Sequence, residues 1–185
     1  MFLKDSLRRK LIEKRKHYNN WAEDSKKIED RFFLLDKVNK SSVFLLYYPH
    51  KNEVNTLNII NRLLSEGKTV LLPKVEEKHL LPIKITDINS VSTGYAGIKE
   101  PEGESYTGDI DVIVVPAVAF DEKGYRLGYG KGFYDRFLAK QKALKIGLAY
   151  DFQLLKDIPK ELHDVPVDII ITPTKIIKTK EDKNE

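Results

Sequence analysis

Four of the ten glycines, Gly124, Gly128, Gly130 and Gly132, fall within nine residues of one another. They stand in the string Gly124-Tyr125-Arg126-Leu127-Gly128-Tyr129-Gly130-Lys131-Gly132-Phe133-Tyr134-Asp135-Arg136. Glycine lets successive amides turn toward one anion, and a helix that follows adds free N–H groups and the positive end of its dipole. Lys131 and Arg126 would add full charges. That is the chemistry of a phosphate held where a loop runs into a helix, as a nucleotide-using enzyme needs. The string is not a P-loop, which requires Ser or Thr after the lysine, and its third glycine comes one residue early for a dinucleotide fingerprint. The blander alternative is that the glycines only build turns and Lys131 is a solvated charge. If a helix begins near Lys131, Asp135 shares a face of its first turn. Asp135 is then either an ordinary i, i+4 ion-pair partner or an oxygen ligand for Mg²⁺ beside the phosphates.

Composition closes several other routes. There is no cysteine, so disulfides, thiolate zinc sites and a cysteine nucleophile are excluded. His17, His50, His79 and His163 are dispersed, with no i, i+4 pair of the helical zinc kind. Against 28 acidic residues, 32 basic ones leave only +4 net, too mild a balance to imply a nucleic-acid partner by itself. The N-terminus turns charged at once, and no apolar stretch approaches the roughly 20 residues of a membrane span. The expectation is a cytoplasmic monomer without a membrane or nucleic-acid partner.

The elements that must position the glycine string follow from periodicity. Leu3, Leu7 and Leu11 form an i, i+4 stripe, so residues 3–19 read as an amphipathic helix whose other faces carry Lys4, Arg8, Lys14 and Arg15. A second helix is expected from Trp21 through Leu35. Residues 42–48 are a short apolar run of the doubly buried kind, the pattern Leu57, Ile60, Leu63, Leu64 is helical, and residues 68–73 read as the next strand, completing a βαβ unit. Residues 79–85 read as an edge strand because of Pro82. Residues 86–109 read as a long irregular segment. Three more buried strands are expected at 111–116, 145–150 and 167–172, with a helix over 131–141. The fold class is α/β: a single-domain, three-layer, open, mostly parallel sheet with helices on both faces, Rossmann-like, over residues 1–174. A charged, frayed tail is expected over 175–185.

At this point the residues resemble the 5-formyltetrahydrofolate cyclo-ligases, also called methenyltetrahydrofolate synthetases. The match runs through Val115-Pro116-Ala117-Val118-Ala119-Phe120-Asp121 and the glycine string. Further matches are Lys4-x-x-x-Arg8, Glu53-x-x-Thr56, Gly97-Ile98-Lys99-Glu100-Pro101 and His163-Asp164-x-Pro166-x-Asp168. The resemblance implies ATP-dependent conversion of 5-formyltetrahydrofolate to 5,10-methenyltetrahydrofolate, with Mg²⁺ required and ADP and phosphate released. It implies attack of the formyl oxygen on the γ-phosphate, then of N10 on the activated carbon. It also implies roles by residue. Lys4 and Arg8 would contact ATP, and the stretch Gly128, Tyr129, Gly130, Lys131, Gly132, Phe133, Tyr134, Asp135, Arg136 would wrap it, with Lys131 and Arg126 as catalytic cations. Asp135 and Asp168 would hold the metal, and Glu53, with Tyr48 and Tyr134, would bind the folate. Phe133 stands where the family commonly has tyrosine. Two rival readings remain: a phosphosugar isomerase or coenzyme A transferase relative, which needs no ATP, and an RNA-binding face built from Arg8, Arg9, Lys10, Lys14, Arg15 and Lys16.

Overall fold

The computed structural model describes residues 2–180 and confirms the α/β reading. Its helices are α1 (Phe2–Lys16), α2 (Trp21–Phe32), α3 (Asp36–Lys40), α4 (Leu57–Ser65) and α5 (Phe133–Leu138). The strands before the glycine string are β1 (Val43–Leu45), β2 (Thr69–Glu76), β3 (His79–Ile85), β4 (Val91–Thr93), β5 (Lys99–Pro101), β6 (Val112–Val115) and β7 (Ala119–Asp121). The later ones are β8 (Arg126–Leu127), β9 (Leu144–Leu148), β10 (Leu154–Leu155), β11 (Ile169–Ile171) and β12 (Ile176–Lys178).

Seven strands form one sheet in the order β12-β11-β9-β6-β1-β2-β3. The five inner strands are parallel, with Val43 opposite Thr69, Phe44 opposite Val112, Val114 opposite Ile146 and Ile170 opposite Gly147. The edge strands β3 and β12 run antiparallel to their neighbours. Strand side chains alternate between faces, so each run feeds two cores. Phe44, Val112, Val114, Ile146 and Ile171 pack under α2 and α4 with Ile28, Phe32, Ile59 and Leu63. Leu45, Ile113, Val115 and Ile170 face the other way, toward Phe120, Leu138 and Val167. From β1 the chain moves one way, to β2, while β6, on its other side, leads to β9. The switch point therefore lies between β1 and β6, where ligands of such sheets bind beyond the carboxyl ends.

A three-stranded sheet, β10-β7-β8, carries the glycine string out of β6. Helix α1 packs on it through Leu11 against Val118, Leu127 and Ile158. Asp121, 1% exposed, accepts the N–H groups of Lys123 and Tyr125 on Oδ1 and of Ile158 on Oδ2, so it builds the β7–β8 turn. Gly124 has φ +92°, and a Cβ there would lie 2.3 Å from the Val167 carbonyl oxygen; no other residue fits.

Four expectations are corrected. The second helix stops at Phe32, and α3 is separate. Only Val43–Leu45 of the run 42–48 forms a strand, because Tyr47 and Tyr48 peel away toward a turn. The segment 86–109 is not irregular throughout: β4 and β5 make a small antiparallel flap, held by Glu100, whose two carboxylate oxygens accept the N–H groups of Val75 (2.8 Å) and Tyr95 (3.1 Å). The tail contributes β12 to the sheet; residues 181–185 lie outside the described ones.

Candidate active site

Gly132 caps α5 in the left-handed conformation (φ +73°), so the helix begins at Phe133 and spans six residues. Lys131 lies before it and does not share a helical face with Asp135. Asp135 instead approaches Arg126, Oδ1 to Nη2 at 3.3 Å, and accepts the Val165 N–H at 3.3 Å. Around the loop opens a cavity of about 440 Å³. Lys4, Arg8, Arg126 and Lys131 supply its cations, and Gly128, Tyr129, Gly130 and Gly132 its backbone wall. Arg8 donates from Nε to the Gly128 carbonyl at 2.7 Å and pairs with Asp5 at 2.6 Å. Among the described residues, neither Lys4 nor Lys131 has a carboxylate within 4.0 Å. The buried Nε of Arg126 has no hydrogen-bond partner among the described residues, an uncompensated donor in a residue that lines the cavity. Asp135, Glu161 and Asp164 also reach this space, beside His163.

A second cluster lies at the end of β1. The chain reverses through Lys51 (φ 48°) and Asn52 (φ 62°), both left-handed, and the Glu53 N–H returns to the His50 carbonyl at 3.1 Å. This turn is pinned from three sides. Arg15 Nε donates to the Lys51 carbonyl (3.0 Å), Asn52 Nδ2 to the Lys16 carbonyl (3.2 Å), and the Tyr150 hydroxyl to the Asn52 carbonyl (3.0 Å). Glu53, 9% exposed, accepts the His50 N–H on Oε1 (2.8 Å) and the Tyr129 hydroxyl on Oε2 (2.8 Å). Arg15, 1% exposed, donates from Nη1 to the same Tyr129 oxygen at 2.7 Å. Tyr129 thus keeps much of its ring in solvent while its hydroxyl is enclosed. Burial raises the Glu53 carboxyl above its ordinary value, and Arg15, the Tyr129 hydroxyl and the His50 N–H oppose that rise. Burial likewise pushes the Tyr134 phenol well up, with Glu53 adding to the shift and Arg126 opposing it; its hydroxyl is buried without a partner among the described residues.

The two clusters meet at the switch point: the turn follows β1, the glycine loop lies downstream of β6, and Tyr129 joins them. Of the residues singled out for ATP, Lys4, Arg8, Gly128, Tyr129, Gly130, Lys131, Gly132 and Asp135 surround one cavity. Arg136 does not. It donates to the carbonyls of Lys78 (3.0 Å) and Lys131 (3.3 Å), on the far side of α5. Phe133 and Tyr134 turn inward, packed against the core cluster of Leu138 and Val167. Tyr48 packs on the opposite face of the sheet. Asp168 is not brought to Asp135: it stands at the amino ends of β9 and β11, accepts the Lys145 N–H at 2.9 Å and faces Lys180 at 3.9 Å. Spacing missed Arg15, whose place one i, i+4 step beyond Leu11 continued the leucine stripe and marked a buried, partnered cation. With Arg15 buried and Arg8 turned onto the loop, the basic face considered for RNA loses two of its six cations. Glu161, His163 and Asp164 were missed as lining residues.

An open α/β sheet with a cationic glycine loop at its switch point, next to a buried carboxylate, defines an α/β enzyme with an anion-accepting site. Residues 2–173 match the model of the 5-formyltetrahydrofolate cyclo-ligase family. The chain is 32% identical to the 5-formyltetrahydrofolate cyclo-ligase of Mycoplasma genitalium, over 91% of this chain and 96% of that protein. It is 34% identical to that of Escherichia coli K12, over 73% and 78%. The NMR structure of Aquifex aeolicus 5,10-methenyltetrahydrofolate synthetase superposes with TM-score 0.86 at 37% identity, covering 98% of this chain and 95% of that one. The synthetase from Mycoplasma pneumoniae gives 0.74 at 28%, covering 92% and 98%. The chain belongs to the 5-formyltetrahydrofolate cyclo-ligase family.

Proposed function

We propose that the chain closes 5-formyltetrahydrofolate to 5,10-methenyltetrahydrofolate at the expense of ATP, with the glycine loop holding the triphosphate and Glu53 holding the folate. The observation that carries this division is the meeting of a cation-lined cavity of about 440 Å³ with a buried acceptor carboxylate at one switch point. The formyl oxygen attacks the γ-phosphorus and ADP leaves; N10 then attacks the formyl carbon, its proton is lost, and phosphate departs as the ring closes. The protein positions the two substrates and sets cations around the transferring phosphoryl group. Lys131, with no carboxylate within 4.0 Å among the described residues, and Arg126, whose buried Nε has no partner among them, take the catalytic positions. Lys4 and Arg8 reach the nucleotide from α1. Glu53 accepts two hydrogen bonds from the 2-amino-pyrimidinone edge of the pterin, whereas Tyr48 and Tyr134, packed on opposite faces of the sheet, are left out of this assignment.

The donors around the cavity suit Mg²⁺ brought in on the nucleotide. Among the described residues no group of three or more His, Cys, Asp or Glu forms a cage, and Mg²⁺ ordinarily takes one or two carboxylates with phosphates and water. Asp135 would hold it, and when bound it neutralises charge on the phosphoryl oxygens. Asp168, tied to Lys145, takes no part in this assignment. Protein mixed with Mg-ATP and 5-formyltetrahydrofolate should develop the absorbance of the methenyl product; no ATP-dependent signal would refute the reading. Among the described residues no helix is long and apolar enough to cross a membrane.

A further inference from the structure

Arg15 and the Tyr129 hydroxyl belong to none of the roles given so far, yet both are committed to one carboxylate. Arg15 has no net exposure to spare for solvent or nucleotide: Nη1 goes to Tyr129 and Nε to the Lys51 carbonyl of the turn that carries Glu53. Because a guanidinium only donates, the Tyr129 oxygen must accept from it and give its own proton onward, to Glu53 Oε2. The His50 N–H occupies the other carboxylate oxygen. A carboxylate offers about four lone-pair sites, so these two bonds leave one on each oxygen. The two free sites, one on each oxygen, lie in the carboxylate plane, so the group can accept two N–H donors at once.

We propose that Arg15 and Tyr129 are positioning residues for folate recognition: through a relay from guanidinium to hydroxyl to carboxylate they hold Glu53 oriented as a two-point acceptor. The proposal rests on the assignment of Glu53 to the folate. Because Tyr129 also lies in the glycine loop, the same relay fixes the distance between the folate site and the phosphate wall. The groups that act on Glu53 from the surrounding elements are Arg15 of α1, Tyr129 of the loop, Tyr134 of α5, Tyr47 and the His50 N–H beside β1, and Tyr150 after β9. Among these Arg15 is the only permanent charge. It and the Tyr129 hydroxyl favour the ionised acceptor against burial, which favours the neutral acid.

The test is steady-state kinetics of Tyr129→Phe, Arg15→Met, Arg15→Lys and Glu53→Gln as a function of pH. Tyr129→Phe and Arg15→Met should each raise the folate KM about tenfold, with kcat changed by less than about threefold. They should also move the acid limb of kcat/KM for folate upward, because Glu53 loses a group that favours its charged form. Ionisations of the substrate are common to all the proteins and cancel in the comparison. Arg15→Lys should restore part of the shift, since it keeps the charge without the planar fork. If Tyr129→Phe, which removes a single oxygen, leaves the acid limb and the folate KM in place, the relay is only structural and the proposal is overturned, whatever happens to Arg15→Met or to the melting temperature. If Glu53→Gln itself leaves the folate KM unchanged, the assignment of Glu53 fails, and that outcome is distinct from failure of the relay. In the Glu53→Gln background, Tyr129→Phe should produce no further shift of the limb.

Discussion

The phosphate side of the site and the folate side are built on opposite terms. On the phosphate side the cations line an open cavity: Lys131 is exposed, Arg8 pairs with the exposed Asp5, Arg126 is largely buried, and the wall is glycine backbone. On the folate side Glu53 and Arg15 are buried, and both carbonyls of the Lys51–Asn52 turn, with the Asn52 amide nitrogen, are tied to other elements. A triphosphate can be held by summed charge, which falls off slowly with distance and tolerates mobile lysines. A pterin edge carries little charge and must be read by hydrogen bonds, which fail when an acceptor swings by a few tens of degrees. The open side therefore selects by charge, and the closed side by direction.

Changes on the open side should damage chemistry first, and these are the largest effects expected. Lys131→Ala and Asp135→Ala should each lower kcat on the order of 10²- to 10³-fold, the cost of removing one group that stabilises a transition state. The melting temperature of Lys131→Ala should stay close to that of the parent, because its side chain is exposed, whereas Asp135→Ala should lower it, because the Arg126 guanidinium, 7% exposed, loses its pair. Near-normal turnover in either would remove it from the catalytic set. A change on the closed side should separate the substrates. Glu53→Gln should lower kcat/KM for folate on the order of 10²-fold, as expected where a built hydrogen-bonding site loses its match, while the KM for ATP moves little.

The same substitution has a pH signature in stability. A carboxyl whose value is raised on folding holds its proton more tightly in the folded state, so its contribution is full below the unfolded value of 4.5 and is lost as pH rises through the folded one. Denaturant titrations of the parent should show this decline relative to Glu53→Gln. Activity needs the ionised form and runs in the opposite sense over that window. The smallest effect belongs to a residue next to the site in sequence but outside it in space. Arg136→Ala should alter ATP kinetics by less than about twofold, since its guanidinium binds the Lys78 carbonyl on the far side of α5. A large rise in the KM for ATP would return Arg136 to the cavity.

Much of the frame was legible because the buried strands are continuous apolar runs and the βαβ unit is punctuated by Gly67 (φ +78°). The glycine string was legible for a similar reason, since its composition has few other uses. What remained hidden depends on long-range partners. Asp135 reads as a helical partner of Lys131 until Gly132 is seen to cap the helix, which begins only at Phe133. Asp168 is a ligand only by resemblance, and the partner its Oδ2 accepts, the Lys145 N–H, lies 23 residues away along the chain. Tyr129 sits among glycines and reads as a phosphate contact, whereas its hydroxyl is spoken for by a residue 76 positions earlier. Arg15 is the sharpest case: a cation on an apolar stripe announces a buried partner but cannot say which.

The distances along the chain between those partners bear on how the molecule is made. Arg15 meets Tyr129 across 114 residues and Arg8 meets Gly128 across 120. Contacts of such separation give nothing back until a long loop has closed, so they form after local helices and hairpins. During synthesis the first helix therefore emerges with a bare guanidinium and waits for a tyrosine far downstream. A growing chain has the material for its nucleotide loop and its folate turn well before it has a site, and the site matures only when its first helix and its last third come together.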